Sequence, residues 1–138
     1  MASSPGRQGD PHARTRRAPS FDVELSHEVV VWYARLSARD RAFADRALDR
    51  LASDGPALRE PHSRALRGGL HELRFTCEGL SRRITYAFGP GREVRALTTF
   101  RKQRDVERDE VARARRAMIR GHVRAKGRAP GGDQGRNR

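Results

Sequence analysis

The chain has 138 residues, 36% of them apolar and 34% charged, with 30 Lys and Arg against 17 Asp and Glu. That length and composition suit one domain with a single modest core. They leave no apolar run long enough to span a membrane, and the single cysteine, Cys77, excludes an internal disulfide framework. The net charge is +13, with +3 in residues 1–19, +4 in residues 121–138 and +6 between them. A compact basic domain attracts polyanions, nucleic acid foremost. Only Lys102 and Lys126 are lysines, a bias that GC-rich coding also produces, but the charge acts the same whatever its origin.

Residues 1–19, rich in Gly, Pro, Ser and Arg, bury too little to offset ordering entropy and are expected to be a disordered basic tail. They lack the apolar stretch of a signal peptide, so a cytoplasmic protein is expected. Residues 121–138 read as a second disordered basic tail, leaving one domain over 20–120.

Within it, Phe21, Val23 and Leu25 alternate as in a strand. Ser26 is a candidate N-cap for a helix carrying Val29, Val30, Tyr33 and Leu36, with a strand as the competing reading over the β-branched run Val29 to Val31. A second helix follows, with Phe43, Ala47, Leu48 and Leu51 as its stripe and Gly55-Pro56 as its stop. Residues 57–69 form a connection without clear periodicity. Three strands come next. In the first, Leu73 and Phe75 take one face with His71, and Glu72 and Arg74 the other. In the second, Ile84, Tyr86 and Phe88 oppose Arg83 and Thr85. The turn Gly89-Pro90-Gly91 leads to the third, with Val94, Ala96 and Thr98 opposing Arg95, Leu97 and Thr99. Asp105 is a candidate N-cap for a last helix with the stripe Val111, Ala114 and Met118 and arginines near its end.

This order predicts an α+β fold: a small antiparallel sheet with the N-terminal helices packed on one face, and a C-terminal helix. The second face is expected to be partly open, with Arg74 and Arg83 pointing into it. Truncating Arg83 would then change stability by no more than about 0.5 kcal/mol, as at other surface positions. Glu72 shares that face, where a cross-strand ion pair would explain it.

Four segments in order, Arg64 to Arg74, Arg83 to Tyr86, Phe100 to Lys102 and Ala112 to Arg115, resemble the RelE/HigB superfamily of bacterial toxins, in particular its phage-derived HigB-like branch. The likeness spans about residues 21–119. It implies a RelE-like fold and the toxin of a type II toxin–antitoxin pair, many of which cut messenger RNA in the ribosomal A site. It implies as partners the ribosome and messenger RNA, and a cognate antitoxin that is a small helix-turn-helix protein. The family's strand arginines map to Arg74 and Arg83, and its basic segment after the last strand to Arg101, Lys102 and Arg104. The tyrosine that some members carry in the final helix has no counterpart here.

Such cleavage needs charge stabilised on phosphoryl oxygens while a 2′-hydroxyl attacks. Arginine suits this because its fork grips phosphate and stays charged. Arg74 and Arg83 are therefore the catalytic candidates. Lys102 joins them as a phosphate ligand or as the donor of a proton to the leaving oxygen. Arg82, Arg101 and Arg104 are RNA-binding candidates. His71 and His62 titrate in the useful range for acid–base work, although His71 falls on the core side. Cys77 has no neighbour at zinc-ligand spacing, so neither a metal nor a cofactor is expected. Two other readings remain open: a non-cleaving RNA- or ribosome-binding module, and a ParE-like toxin acting on DNA gyrase.

Overall fold

The computed structural model describes residues 20–127. The expectations for residues 1–19 and 128–138 lie outside them. Strand β1 is Asp22–Leu25, followed by helices α1 (His27–Ala34) and α2 (Ala38–Asp54). A 3₁₀ turn, Gly55–Ala57, leads to β2 (Ser63–Ala65), then β3 (His71–Cys77), β4 (Leu80–Phe88) and β5 (Glu93–Arg101). Helix α3, Glu107–Gly127, closes the fold. The sheet order is β1-β5-β4-β3-β2. The β2–β5 ladder is antiparallel, while β1 runs parallel to β5, with Val23 against Val94 and Leu25 against Ala96. The fold is therefore α+β as expected, on a mixed sheet.

Local signals account for most of these elements. The Ser26 hydroxyl accepts from the Val29 amide at 3.3 Å, starting α1, and donates to the Leu97 carbonyl at 2.7 Å, anchoring it to β5. Ser37 caps α2 in the same way through the Asp40 amide. Gly55 ends α2 at φ 51°, where a Cβ would collide with the Phe21 ring. Helices α1 and α2 cover one sheet face through Val29, Ala47 and Leu51 against Leu73, Ile84, Tyr86, Val94 and Ala96. Each fully buried aliphatic side chain in this layer stabilises by about 2 kcal/mol.

The second face is not open. Helix α3 lies over it, packing Val111, Ala114, Ala117 and Met118 against Leu66, Leu70, Ala87 and Leu97. The stripe is thin, and polar contacts complete the docking. Arg113 pairs with Glu28 of α1, and Arg115 donates to the carbonyls of Leu66 and Arg67 at 2.6 and 3.0 Å.

Four local expectations are corrected. Residues 63–65 form a short edge strand, made by pairing with β3 rather than by any periodicity of their own. A bulge shifts the register between Thr85 and Tyr86, so Tyr86 faces Ala96 and Thr85 faces Thr98. Thr98 thereby joins the α3 side, bonding Thr85 hydroxyl to hydroxyl at 2.6 Å. Asp105 sits at φ 72° and does not cap α3, which starts at Glu107. That helix also runs on through Gly127, past the boundary drawn at residue 120.

Candidate functional site

The α3 side of the sheet collects charge by strand alternation. One cross-strand row is Arg64, Glu72, Thr85 and Thr98; the next is Arg74, Arg83 and Phe100. Arg74 and Arg83 are thus direct neighbours, a like-charge pair that destabilises the sheet unless a counter-ion sits beside it. Glu72 supplies it. Its Oε1 lies 3.6 Å from Arg74 Nε and 3.5 Å from Arg83 Nε. Arg83 Nη1 donates to Ser81 Oγ at 2.9 Å.

The cluster is deep. Glu72 is 0% exposed and Arg83 only 4%, whereas the Arg74 side chain is 25% exposed and Arg64 lies open at the edge. Arg83 is therefore corrected from a surface arginine to a buried one, because α3 covers the face on which it was placed. Burial raises the Glu72 pKa, and the Glu107 carboxylate raises it further against the opposing pull of Arg83 and Arg74. Burial also lowers the Arg83 pKa, aided by repulsion from Arg74 and opposed by Glu72 and Glu107. Glu107, half-buried in the first turn of α3, thus completes a group of three arginines and two glutamates.

The other candidates divide. Lys102, Arg101 and Arg104 are exposed at and beyond the end of β5. The Lys102 amide donates to the Ser81 carbonyl at 2.8 Å, and alternation puts Lys102 on the side of Phe100 and Arg83. Arg101 pairs with Arg82 in the ladder, on the opposite face. There Arg82 lies 5.0 Å over the Trp32 ring and bonds Glu78 at 3.2 Å and Thr99 at 3.3 Å. Neighbours along one strand point to opposite faces, so Arg82 and Arg83 do not act at one point.

His71 is likewise on the α1–α2 side, away from the arginine pair. It stacks on Tyr86 at 5.2 Å and meets the edge of Phe88 at 5.3 Å, and burial lowers its pKa. With Ser63 and Arg59 it lines a cavity of about 560 Å³. His62 is half-buried just before β2, and its carbonyl accepts from the Arg74 amide at 2.9 Å. Among the described residues, no group of His, Cys, Asp and Glu is arranged to hold a metal ion, and no helix is long and apolar enough to cross a membrane. Sequence reasoning did not single out Arg64 or Glu107. Arg64 lay in a quoted motif, but Glu107 reaches the group only through the tertiary path of α3.

The described residues thus form a small α+β fold with a covered arginine pair, a shared carboxylate and a basic rim. The particular family is the phage derived protein Gp49-like family (DUF891), whose model matches residues 32–119; the chain belongs to it, and that family is toxin-like. No curated protein matches the chain.

Proposed function

We propose that the chain is the toxin of a type II toxin–antitoxin pair and acts as a ribosome-dependent endoribonuclease on messenger RNA. The observation that carries this reading is the adjacency of Arg74 and Arg83 on neighbouring strands, backed by Glu72, with Lys102 at the strand end on the same side. Membership of a toxin-like family related to RelE/HigB supports it. In this reading Arg74, Arg64 and Lys102 grip the phosphate, and Arg83 supplies fixed positive charge behind them. The 2′-oxygen attacks phosphorus, its proton passes to Glu107, and the P–O5′ bond breaks as Lys102 protonates the departing oxygen. The products are a 2′,3′-cyclic phosphate and a 5′-hydroxyl. In this reading Glu107 takes the proton because it lies beside Glu72 and Arg83, whereas His71 faces the other side. The partners are a small helix-turn-helix antitoxin, and the ribosome with its message; the site of action is the cytoplasm.

The depth of Arg83 favours one alternative, a module that blocks ribosomes without cutting. One experiment separates the readings: the purified chain is added to ribosomes programmed with a defined message, and the RNA is read by primer extension. Cleavage at the A-site codon, lost in Arg74→Ala, is the expected result. Arrest with intact message would establish the blocking module. No effect on translation, with inhibition of gyrase supercoiling instead, would establish the ParE-like reading.

A further inference from the structure

We infer that Glu72 is a positioning residue, a buried carboxylate that holds the Arg74 and Arg83 guanidinia side by side for a phosphodiester. The inference rests on the reading of an RNA-directed site, but its geometry can be tested apart from cleavage.

Two arginine–carboxylate contacts among the described residues differ in kind. Arg113 closes on Glu28 fork to fork, Nη1 to Oε1 at 2.5 Å and Nη2 to Oε2 at 2.9 Å. That is a closed, two-toothed geometry. Glu72 is different. Its contacts with the two arginines run from Oε1 to Nε at 3.5 and 3.6 Å, beyond good hydrogen-bond range. Within the ion cluster neither Glu72 oxygen accepts a hydrogen bond and Arg83 Nε donates none, while the Glu107 carboxyl is near enough to hydrogen-bond Glu72 when one of the two is protonated. A contact selected for stability alone would close, since an open buried ion pair returns little for its desolvation. Among the described residues, the Arg74 fork makes no other hydrogen bond. One carboxylate oxygen shared between two Nε groups thus leaves the Arg74 fork, and one arm of the Arg83 fork, uncommitted. The groups facing Glu72 are Arg64 from β2, Arg74 from its own strand, Arg83 from β4 and Glu107 from α3. Three cations against two anions leave a net charge of +1, which a phosphodiester monoanion neutralises.

A purely electrostatic role and a positioning role predict opposite signs. Protonating Glu72 removes a negative charge. If only charge mattered, an anion would bind more tightly as pH falls, and Glu107 and the histidines would push the same way. If Glu72 orients the forks, binding weakens instead, because the aligned pair is lost while the phosphodiester remains anionic.

The test uses the full chain and a short 2′-O-methyl oligoribonucleotide, which cannot be cut by 2′ attack. Binding is followed by NMR at the Nε–H signals of Arg74 and Arg83. In the wild type, affinity should weaken as pH falls, with an inflection above the ordinary glutamate value of 4.5. Glu72→Gln should bind about tenfold more weakly at neutral pH, lose the inflection and exchange both Nε–H protons faster. The comparison is the about hundredfold effect of a 1 Å misplacement in a preorganised site. Glu72→Asp, which keeps the charge but withdraws it, should fall between the two and retain the inflection. Tighter binding at low pH in the wild type, or tighter binding by Glu72→Gln, overturns the inference; the wild-type result needs no variant to fold. If these signatures hold but the wild type cuts no ribosome-bound message, the nuclease reading fails and the positioning role stands. If message is cut but the sign is reversed, only the positioning role fails.

Discussion

Arg113 and Glu28 join the last helix to the first across 85 residues of sequence, and the Thr99 amide donates to the same carboxylate at 2.9 Å. This three-way junction fastens α3 over the sheet face that carries the arginine pair. Burial alone would raise the Glu28 pKa, but the Arg113 hydrogen bonds, the Thr99 amide and the Arg113 charge leave it lowered. A lowered carboxylate pKa contributes stability above the unfolded value, and that stability is lost as pH falls through the folded one. Resistance of the wild type to urea should therefore fall as the pH drops below about 4.5. Glu28→Gln should show a flatter acid limb. Arg113→Ala should cost about 1 kcal/mol at neutral pH, since the pair is partly exposed and screened.

Arg83→Ala should be strongly destabilising, by about 3 kcal/mol, because it strips a buried carboxylate of one of its two counter-ions. Replacing Arg83 and Glu72 together by Met and Leu should cost less than Arg83→Ala alone, since no buried charge is then left behind. Urea titrations of the wild type and both variants check the order. A change within about 0.5 kcal/mol for Arg83→Ala, the usual range of surface positions, would contradict the burial described above.

Arg74→Ala separates chemistry from stability. Its side chain is more exposed than that of Arg83, so the loss of stability should stay near 1 kcal/mol. Cleavage of ribosome-bound message should nonetheless fall on the order of a hundredfold, as for loss of one charge-stabilising donor. Arg74→Lys should rescue poorly, since a point charge lacks the fork. Melting and primer extension on the same preparations make the comparison.

Single-stranded RNA binding should weaken with salt by about 0.7 in log affinity per log salt for each phosphate contact. Removing the Arg74 or Lys102 side chain should each reduce the slope by about that amount. Arg82→Ala should leave it unchanged, because Arg82 is engaged with Trp32 and Glu78 on the other face. Anisotropy titrations at several salt concentrations read the slopes directly.

On the α1–α2 side, Ser63 Oγ and Tyr86 Oη share a buried hydrogen bond of 2.5 Å. Tyr86→Phe leaves the serine hydroxyl without its partner and should cost about 1–2 kcal/mol. Ser63→Ala in the Tyr86→Phe background should cost less than Ser63→Ala alone, and thermal melts of the four proteins close the cycle.

The amino-acid sequence by itself determined the features that depend on neighbours along the chain. Alternation in 70–77 and 81–88 defined two strands and sorted their side chains, so that Glu72, Arg74 and Arg83 were already on one face. Ser26 marked the start of a helix, and Gly55-Pro56 marked the end of another. What lay above that face was decided only by tertiary structure. The α3 stripe is too thin to announce its docking, which depends on Glu28, Thr99 and the carbonyls of Leu66 and Arg67, all distant in sequence. The depth of Arg83, the approach of Glu107 and the burial of Glu72 all follow from that docking. The bulge before Thr98, the three-residue strand β2 and the parallel pairing of β1 with β5 are likewise set by partners rather than by local pattern. A period of two assigns a side chain to a face; whether that face meets water or a helix is settled by the packing energy of the whole fold.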